Sequence, residues 1–188
     1  VTEKANSINI GGQIRFFGDG HQISKKLGNQ RFWRIPVMDG EFLCEERFGF
    51  VKGVGGGNLI IAGDSAENTL VAAENAARQI MSRPDVCLPF PGGIVRSGSK
   101  VGSKYKALKA STNHEYCPSL RGQIELKIPP EAKAVYEIVI DGLSEQAVAT
   151  AMRSGLHAAA SCTGTIIITA GNYGGKLGKF HFHLRDML

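Results

Sequence analysis

The chain has 188 residues, 43% of them hydrophobic and 21% charged, with a formal net charge of +5. That balance fits one globular domain or one large lobe with a sizeable core, and it excludes a disordered polyelectrolyte. No apolar run approaches the ~20 residues that cross a bilayer, and the start VTEKANSINI lacks a basic, long-apolar secretory signal, so the expected setting is cytoplasmic with no membrane partner.

Taken in chain order, periodicity predicts a strand near Gln13 to Phe17, another from Arg31 to Val37, a third around Phe42 to Val51, and a buried strand from Asn58 to Ala62. Asp64 reads as a helix N-cap with Glu67 three residues later. Leu70, Ala73, Ala77 and Ile80 then supply the apolar stripe of a helix over about 65–82, which Pro84 stops. A short strand near Val86 to Pro89 precedes a segment from Pro91 to Pro130 that is too long for a passive connection. The apolar run AVYEIVI, Ala134 to Ile140, resumes the sheet. Ser144 caps a second helix with Val148, Ala151, Met152 and Leu156 on one face, ending near Ser161. Strands Thr165 to Ala170 and Lys179 to Arg185 close the chain. Two helices against an antiparallel or mixed sheet predict an α+β fold, a ferredoxin-like split β-α-β sandwich with a long Gly/Ser/Lys-rich loop insertion.

Charge is unevenly distributed along this frame. No Asp or Glu occurs between Asp85 and Glu115, whereas Arg96, Lys100, Lys104, Lys106 and Lys109 fall in that interval among glycines and serines. A loop of this kind can offer both positive charge and inward-turned backbone N–H groups to phosphates or carboxylates, although a solvated, lysine-rich surface loop is the plain alternative. A second acid-free run, between Glu145 and Asp186, adds Arg153, Lys176, Lys179 and Arg185, so both segments could serve one anionic partner. Nucleic acid is not expected, because aromatic residues do not interleave with the lysines and no recognition motif is present.

Glu137 stands out within the apolar strand. Period two places it with Val135 and Val139, a β-branched setting that points to a cleft, although a solvent-facing Glu on an edge strand is the plain alternative. Desolvation there would raise the carboxyl pKa and equip it for proton transfer near neutral pH. Other motifs are weaker. Gly53-Val-Gly-Gly-Gly57-Asn58 leads into a strand, unlike a dinucleotide fingerprint, and Gly171 to Gly178 fails as a phosphate loop and reads as a wide hairpin in which Asn172 and Lys176 could still meet polar groups. His181 with His183, and His114 with Cys117, form pairs without a third metal ligand nearby, so no metal is expected. Cys44, Cys87, Cys117 and Cys162 form no Cys-x-x-Cys pair and read as reduced thiols. Ser97, Ser99, Ser103 and Ser111 compete as nucleophiles without a distinguishing turn, which leaves covalent catalysis unsupported.

Five segments together carry a resemblance: FFGDG at Phe16, PFPGGIVRSGSKVGSKYK at Pro89, KASTN at Lys109, YEIVIDGL at Tyr136 and AGNYGGKLGKFHFHL at Ala170. From about Gly12 onward the chain resembles the formylmethanofuran:tetrahydromethanopterin formyltransferase family, and the run Arg31 to Glu46 looks more like its bacterial one-carbon branch. The resemblance implies formyl transfer between methanofuran and tetrahydromethanopterin with no bound cofactor, and assembly into dimers or tetramers, with formylhydrolase complex subunits as further partners. It implies that Glu137 is the proton-transfer glutamate. Ser111, Thr112, Asn113 and Asn172 become candidate donors or orienting groups, and Arg96, Lys100, Lys104 and Lys176 candidate binders of anionic cosubstrate tails. Family members carry a further N-terminal lobe of similar fold, so residues 1–188 are expected to be the single C-terminal, distal lobe with the N-terminal lobe absent. A noncatalytic lobe supporting a formyltransferase assembly is the alternative.

Overall fold

The computed structural model of the protein describes residues 6–171, 173–175 and 178–188. These form an α+β structure that divides into two compact units, residues 1–52 and 53–188.

In the first unit, β1 (Ser7–Ile8) is followed by α1 (Gly11–Ile14) and a 3-10 turn at Arg15–Gly18. This is helical turn where the sequence predicts a strand. Ile10 O accepts from the N–H of both Gln13 and Ile14, and Asn9 Oδ1 takes the Gly12 N–H at 2.9 Å, so local bonds win over any ladder. A meander of β2 (Ile23–Leu27), β3 (Gln30–Val37) and β4 (Gly40–Glu45) follows. Alternation along β3 turns Trp33 and Ile35 inward to a small core with Cys44. The expected strand over 42–51 is broken. Arg47 donates to Ser7 Oγ and Ser7 O, both at 3.0 Å, and the chain leaves β3 to pair β5 (Phe48–Gly49) with β1.

The second unit is built on a four-stranded antiparallel sheet. Its strands are β6 (Val54–Gly63), β7 (Val86–Cys87), β10 (Ala134–Gly142) and β11 (Thr165–Thr169), in the order β11-β6-β10-β7. The helix α2 (Ala66–Met81) joins β6 to β7, and α3 (Glu145–Ala160) joins β10 to β11. Between β7 and β10, the long insertion forms a small ladder of β8 (Lys100–Val101) with β9 (Ala110–Ser111).

Both long helices start on a serine. Ser65 Oγ accepts the Asn68 N–H at 3.2 Å and Ser144 Oγ accepts the Ala147 N–H at 3.1 Å, each at a β-region backbone, the geometry of an N-cap. Asp64, the expected cap of α2, accepts from the Asn68 side chain at 2.9 Å. One sheet face, with Leu59, Ile61, Ile138 and Ile140, packs against both helices. Four alanines of α2 (Ala72, Ala73, Ala76, Ala77) and Gly155 of α3 are buried there, small enough to let the helices lie close together.

The lysine-rich part of the insertion is largely exposed, with Lys104, Lys106 and Lys109 at the surface, whereas its later part packs on the sheet. There Tyr116, Leu126 and Ile128 pack with Ala62, Ala132 and Val135 to cover part of the opposite sheet face. The final predicted strand does not form among the described residues. Phe180, Phe182 and Leu184 do alternate onto the core, but the segment has no ladder partner and closes in a 3-10 turn at Leu184–Met187, where Arg153 Nε donates to Met187 O at 3.1 Å. The predicted hairpin over Gly171 to Gly178 falls in part outside the described residues.

Candidate active site

Alternation on β10 decides the site. Tyr136, Ile138 and Ile140 face the helices, which turns Glu137, Val139 and Asp141 to the other side. Glu137 is 5% exposed. Its Oε1 accepts from Asn58 Nδ2 at 2.9 Å, and Asn58 Oδ1 in turn accepts the Gly171 N–H at 2.9 Å. The neighbouring Oε2 is buried and, among the described residues, no donor lies within direct hydrogen-bond distance of it. Burial pushes the Glu137 carboxyl above the usual carboxylate range, and the Asn58 amide and the Ser99 backbone N–H oppose that rise without cancelling it. Val95 closes the strand edge at this position: it exchanges two backbone hydrogen bonds with Glu137, at 2.7 and 3.1 Å. The basic insertion is therefore fastened to the sheet at Glu137 itself.

Glu137 opens onto a cavity of about 1010 Å³, at the upper end of the range for small-molecule sites. Asn58, Lys100, Asp141, His181 and His183 share its wall, with the bare backbone of Gly55, Gly56 and Gly57. A second cavity of about 30 Å³, the space of a single water, touches Glu137 from the insertion side and is lined by Arg96, Asn113, Tyr116 and Cys117. A protonated Glu137 at such a wall can donate to a leaving nitrogen, and its anion can take the proton back. Among the described residues no three His, Cys, Asp or Glu side chains gather as a metal site.

The residues expected from sequence separate into groups. Glu137 and Lys100 line the large cavity, and Arg96 and the buried Asn113 line the small one. Lys104 is exposed and lines neither. Ser111 Oγ donates to Gly102 O at 2.8 Å and Thr112 Oγ1 to Ser97 O at 2.9 Å, so these hydroxyls hold the insertion's shape. Asn172 and Lys176 lie outside the described residues. His181 and His183, read from sequence as a bare pair, lie on the wall of the large cavity.

Sequence reasoning missed Asn58, Val95 and Asp141. Asn58 carried a usable signal, a lone amide at the head of the apolar run Leu59-Ile-Ile-Ala62 and directly opposite Val139 in the ladder. Asp141 also carried one, since it continues the Val135, Glu137, Val139 alternation. Val95 carried none, because its pairing with Glu137 spans the whole insertion.

Comparison with known proteins agrees with this architecture. A family model described as "FTR, proximal lobe" matches residues 40–187, and one described as formylmethanofuran-tetrahydromethanopterin formyltransferase matches residues 1–37. The first description names a proximal lobe and so does not confirm the distal lobe expected from sequence. Lobes of similar α+β fold cannot be told apart by element pattern. A formylmethanofuran–tetrahydromethanopterin formyltransferase of Methylococcus capsulatus is 54% identical over 188 residues, covering 98% of this chain and 63% of the relative. Among solved structures, the formyltransferase of Methanosarcina barkeri superimposes with a TM-score of 0.74 at 45% identity, over 98% of this chain and 63% of that one. The formyltransferase/hydrolase complex of Methylorubrum extorquens, solved with methylofuran, contains a chain that superimposes with a TM-score of 0.73 at 50% identity, over 99% of this chain and 63% of that one. The chain thus spans somewhat less than two thirds of the length of these relatives.

Proposed function

The chain belongs to the formylmethanofuran–tetrahydromethanopterin formyltransferase family, and from that membership we propose that it transfers a formyl group between methanofuran and tetrahydromethanopterin with Glu137 as the proton-transfer residue. The observation that carries this reading is the buried carboxyl of Glu137, pushed up by desolvation and bordering a cavity large enough for a cosubstrate. In the forward direction the pterin ring nitrogen attacks the formyl carbon, and a new C–N bond forms as the carbonyl becomes an oxyanion. Collapse of that intermediate breaks the bond to the methanofuran nitrogen. Glu137 gives its proton to the departing amine and recovers one from the newly acylated ring nitrogen, so the carboxyl ends as it began.

Around that centre the proposal assigns Lys100, with Arg96 and Lys104 farther out, to anionic tails, and Asn113, Asn172 and Lys176 to orienting contacts. Ser111 and Thr112 serve by holding the insertion. The sheet order β11-β6-β10-β7, with α2 and α3 on one face, supports a ferredoxin-like arrangement of residues 53–188. We assign that unit to the proximal-type lobe. A homo-oligomer, or a place in a formyltransferase/hydrolase complex like that of the Methylorubrum relative, belongs to the same proposal. Exposed Phe16, Phe17, Met38 and Leu43 on the first unit support burial of that surface in an assembly. Cytoplasmic placement fits the four free thiols.

A formyl-transfer assay with both cosubstrates, run beside Glu137→Gln, tests the reading. Transfer by the wild-type protein that the variant loses supports it. Absence of transfer by the full-length wild-type protein removes it.

A further inference from the structure

Asp141 is a second carboxylate on the cavity wall, and formyl transfer as described leaves it without a task. It follows Glu137 by four residues on β10 and faces the same side. At ~3.3 Å per residue the two carboxylates are spaced by ~13 Å along the strand. The ladder is irregular beside it: Ile140 pairs with Gly57 and Asp141 with Gly55, so the extra residue, Gly56, belongs to β6 and the alternation of β10 continues undisturbed. Asp141 lies across that bare backbone. A Cβ on Gly56 would collide with the Ile140 carbonyl and sit 2.7 Å from Asp141 Oδ1, and one on Gly55 would sit 3.2 Å from that oxygen, so the carboxylate lies directly against bare backbone.

Among the described residues no ion pair or hydrogen bond engages this carboxylate; the ion pairs are Arg31–Glu46, Arg34–Glu41 and Lys127–Glu115, all elsewhere. Burial raises its pKa, and among the described residues no cation pulls it down. A half-buried carboxylate with two acceptor oxygens, set over a surface free of side chains, suits a flat ligand that presents two parallel N–H donors.

Resting on the formyl-transfer reading, we propose that Asp141 binds the edge of the pterin ring that carries a ring N–H beside an exocyclic amino group. The methanofuran amine does not fit this place, because as the reacting nitrogen it must lie at Glu137. A bicyclic ring held by that edge at Asp141 extends its reactive nitrogen back along β10 toward Glu137, with a hydrogen bond at each end of the span. Asp141 is in this sense a specificity residue for one cosubstrate. Its chemistry there is acceptance of two hydrogen bonds.

Calorimetric titration of the full-length protein with tetrahydromethanopterin, its 2-desamino counterpart and methanofuran provides the test. Asp141→Asn, nearly isosteric, is expected to weaken tetrahydromethanopterin binding about 10- to 100-fold, the range for a hydrogen bond to a charged group, and to leave methanofuran affinity within about twofold. The desamino compound should bind wild type weakly and be little affected by the substitution. That arm needs no variant to fold, since wild type alone must discriminate the two pterins. Equal binding of both pterins by wild type, or an unchanged pterin affinity in Asp141→Asn, overturns the assignment. A parallel loss of methanofuran binding also overturns it, making Asp141 a wall residue or an amine site. Wild-type protein that binds no pterin overturns the formyl-transfer reading and this inference with it.

Discussion

Asn58 ties two distant pieces of chain to Glu137: its amide nitrogen donates to the carboxylate at 2.9 Å while its oxygen holds the Gly171 N–H at 2.9 Å. A donor to the charged form lowers a carboxyl pKa, so Asn58 works against the desolvation that raises it. Asn58→Ala should release that restraint. The expected result is about a tenfold loss of turnover and a shift of the Glu137 limb of the pH–rate profile to higher pH, measured on kcat across the accessible range. A loss of rate with an unmoved limb would show that Asn58 acts only by packing.

Glu137→Gln should keep the fold and cosubstrate binding and lower turnover by ~100-fold or more, because general acid–base assistance contributes at least that much. It should also change stability in a defined direction. A carboxyl whose folded pKa is raised holds its proton more tightly in the native state, so its contribution is fully present below the unfolded pKa and is lost as pH rises through the folded one. Glutamine never ionises and escapes that loss. The melting temperature of the variant should exceed that of wild type above the folded pKa and converge on it toward acid. Asp141 shifts in the same direction but is present in both proteins, so the difference isolates Glu137. A constant offset at every pH would contradict the burial argument.

What could be read in the sequence was what local pattern determines. The Ser144 cap, the apolar stripe of α3, and the buried runs of β6 and β10 lie where short-range periodicity places them; on α2 the buried face runs through Thr69, Ala72, Ala73, Ala76, Ala77 and Ile80 and leaves the expected Leu70 exposed. Glu137 was legible because a carboxylate among β-branched neighbours violates that pattern. The strand β2 was missed because it is mostly exposed and carries lysines, although its two-residue Gly28-Asn29 turn, with Gly28 at φ +57°, is a hairpin signal. Phe180, Phe182 and Leu184 have strand periodicity without a strand, since alternation reports burial and says nothing of a ladder partner. The role of the insertion in covering the sheet was invisible for another reason. Tyr116 and Ile128 meet Ala62 only through long-range folding.

The basic residues of the insertion should not contribute equally. Lys100 lines the large cavity, whereas Lys104 stands exposed outside it. Lys100→Gln is therefore expected to weaken binding of the anionic cosubstrate severalfold and to flatten its dependence on salt, while Lys104→Gln changes both much less. Titrations at low and high ionic strength, with each variant separately, check this. Equal effects from the two substitutions would mean that the loop acts through its diffuse field.

The helix pair sets its own limit on substitution at Gly155, in the middle of α3. Alanine is the better helix former by up to ~1 kcal/mol, so propensity alone predicts a gain. Space predicts the reverse: a Cβ at this position would lie 2.6 Å from Ile80 Cδ1, 2.9 Å from Ile80 Cγ1 and 3.0 Å from Leu59 Cδ1. Ile80 and Leu59 are both fully buried, so neither can swing into solvent, and overpacking of this kind costs ~1–3 kcal/mol. The steric cost should win. Gly155→Ala is expected to lower the melting temperature by a few degrees, at ~2–4 °C per kcal/mol for a chain of this size. Ile80→Val removes the Cδ1 atom in closest conflict, and in the Gly155→Ala background it should cost less than it does alone. Calorimetric melting of the four proteins in that cycle measures the coupling, and purely additive effects would show that α2 and α3 have room to separate.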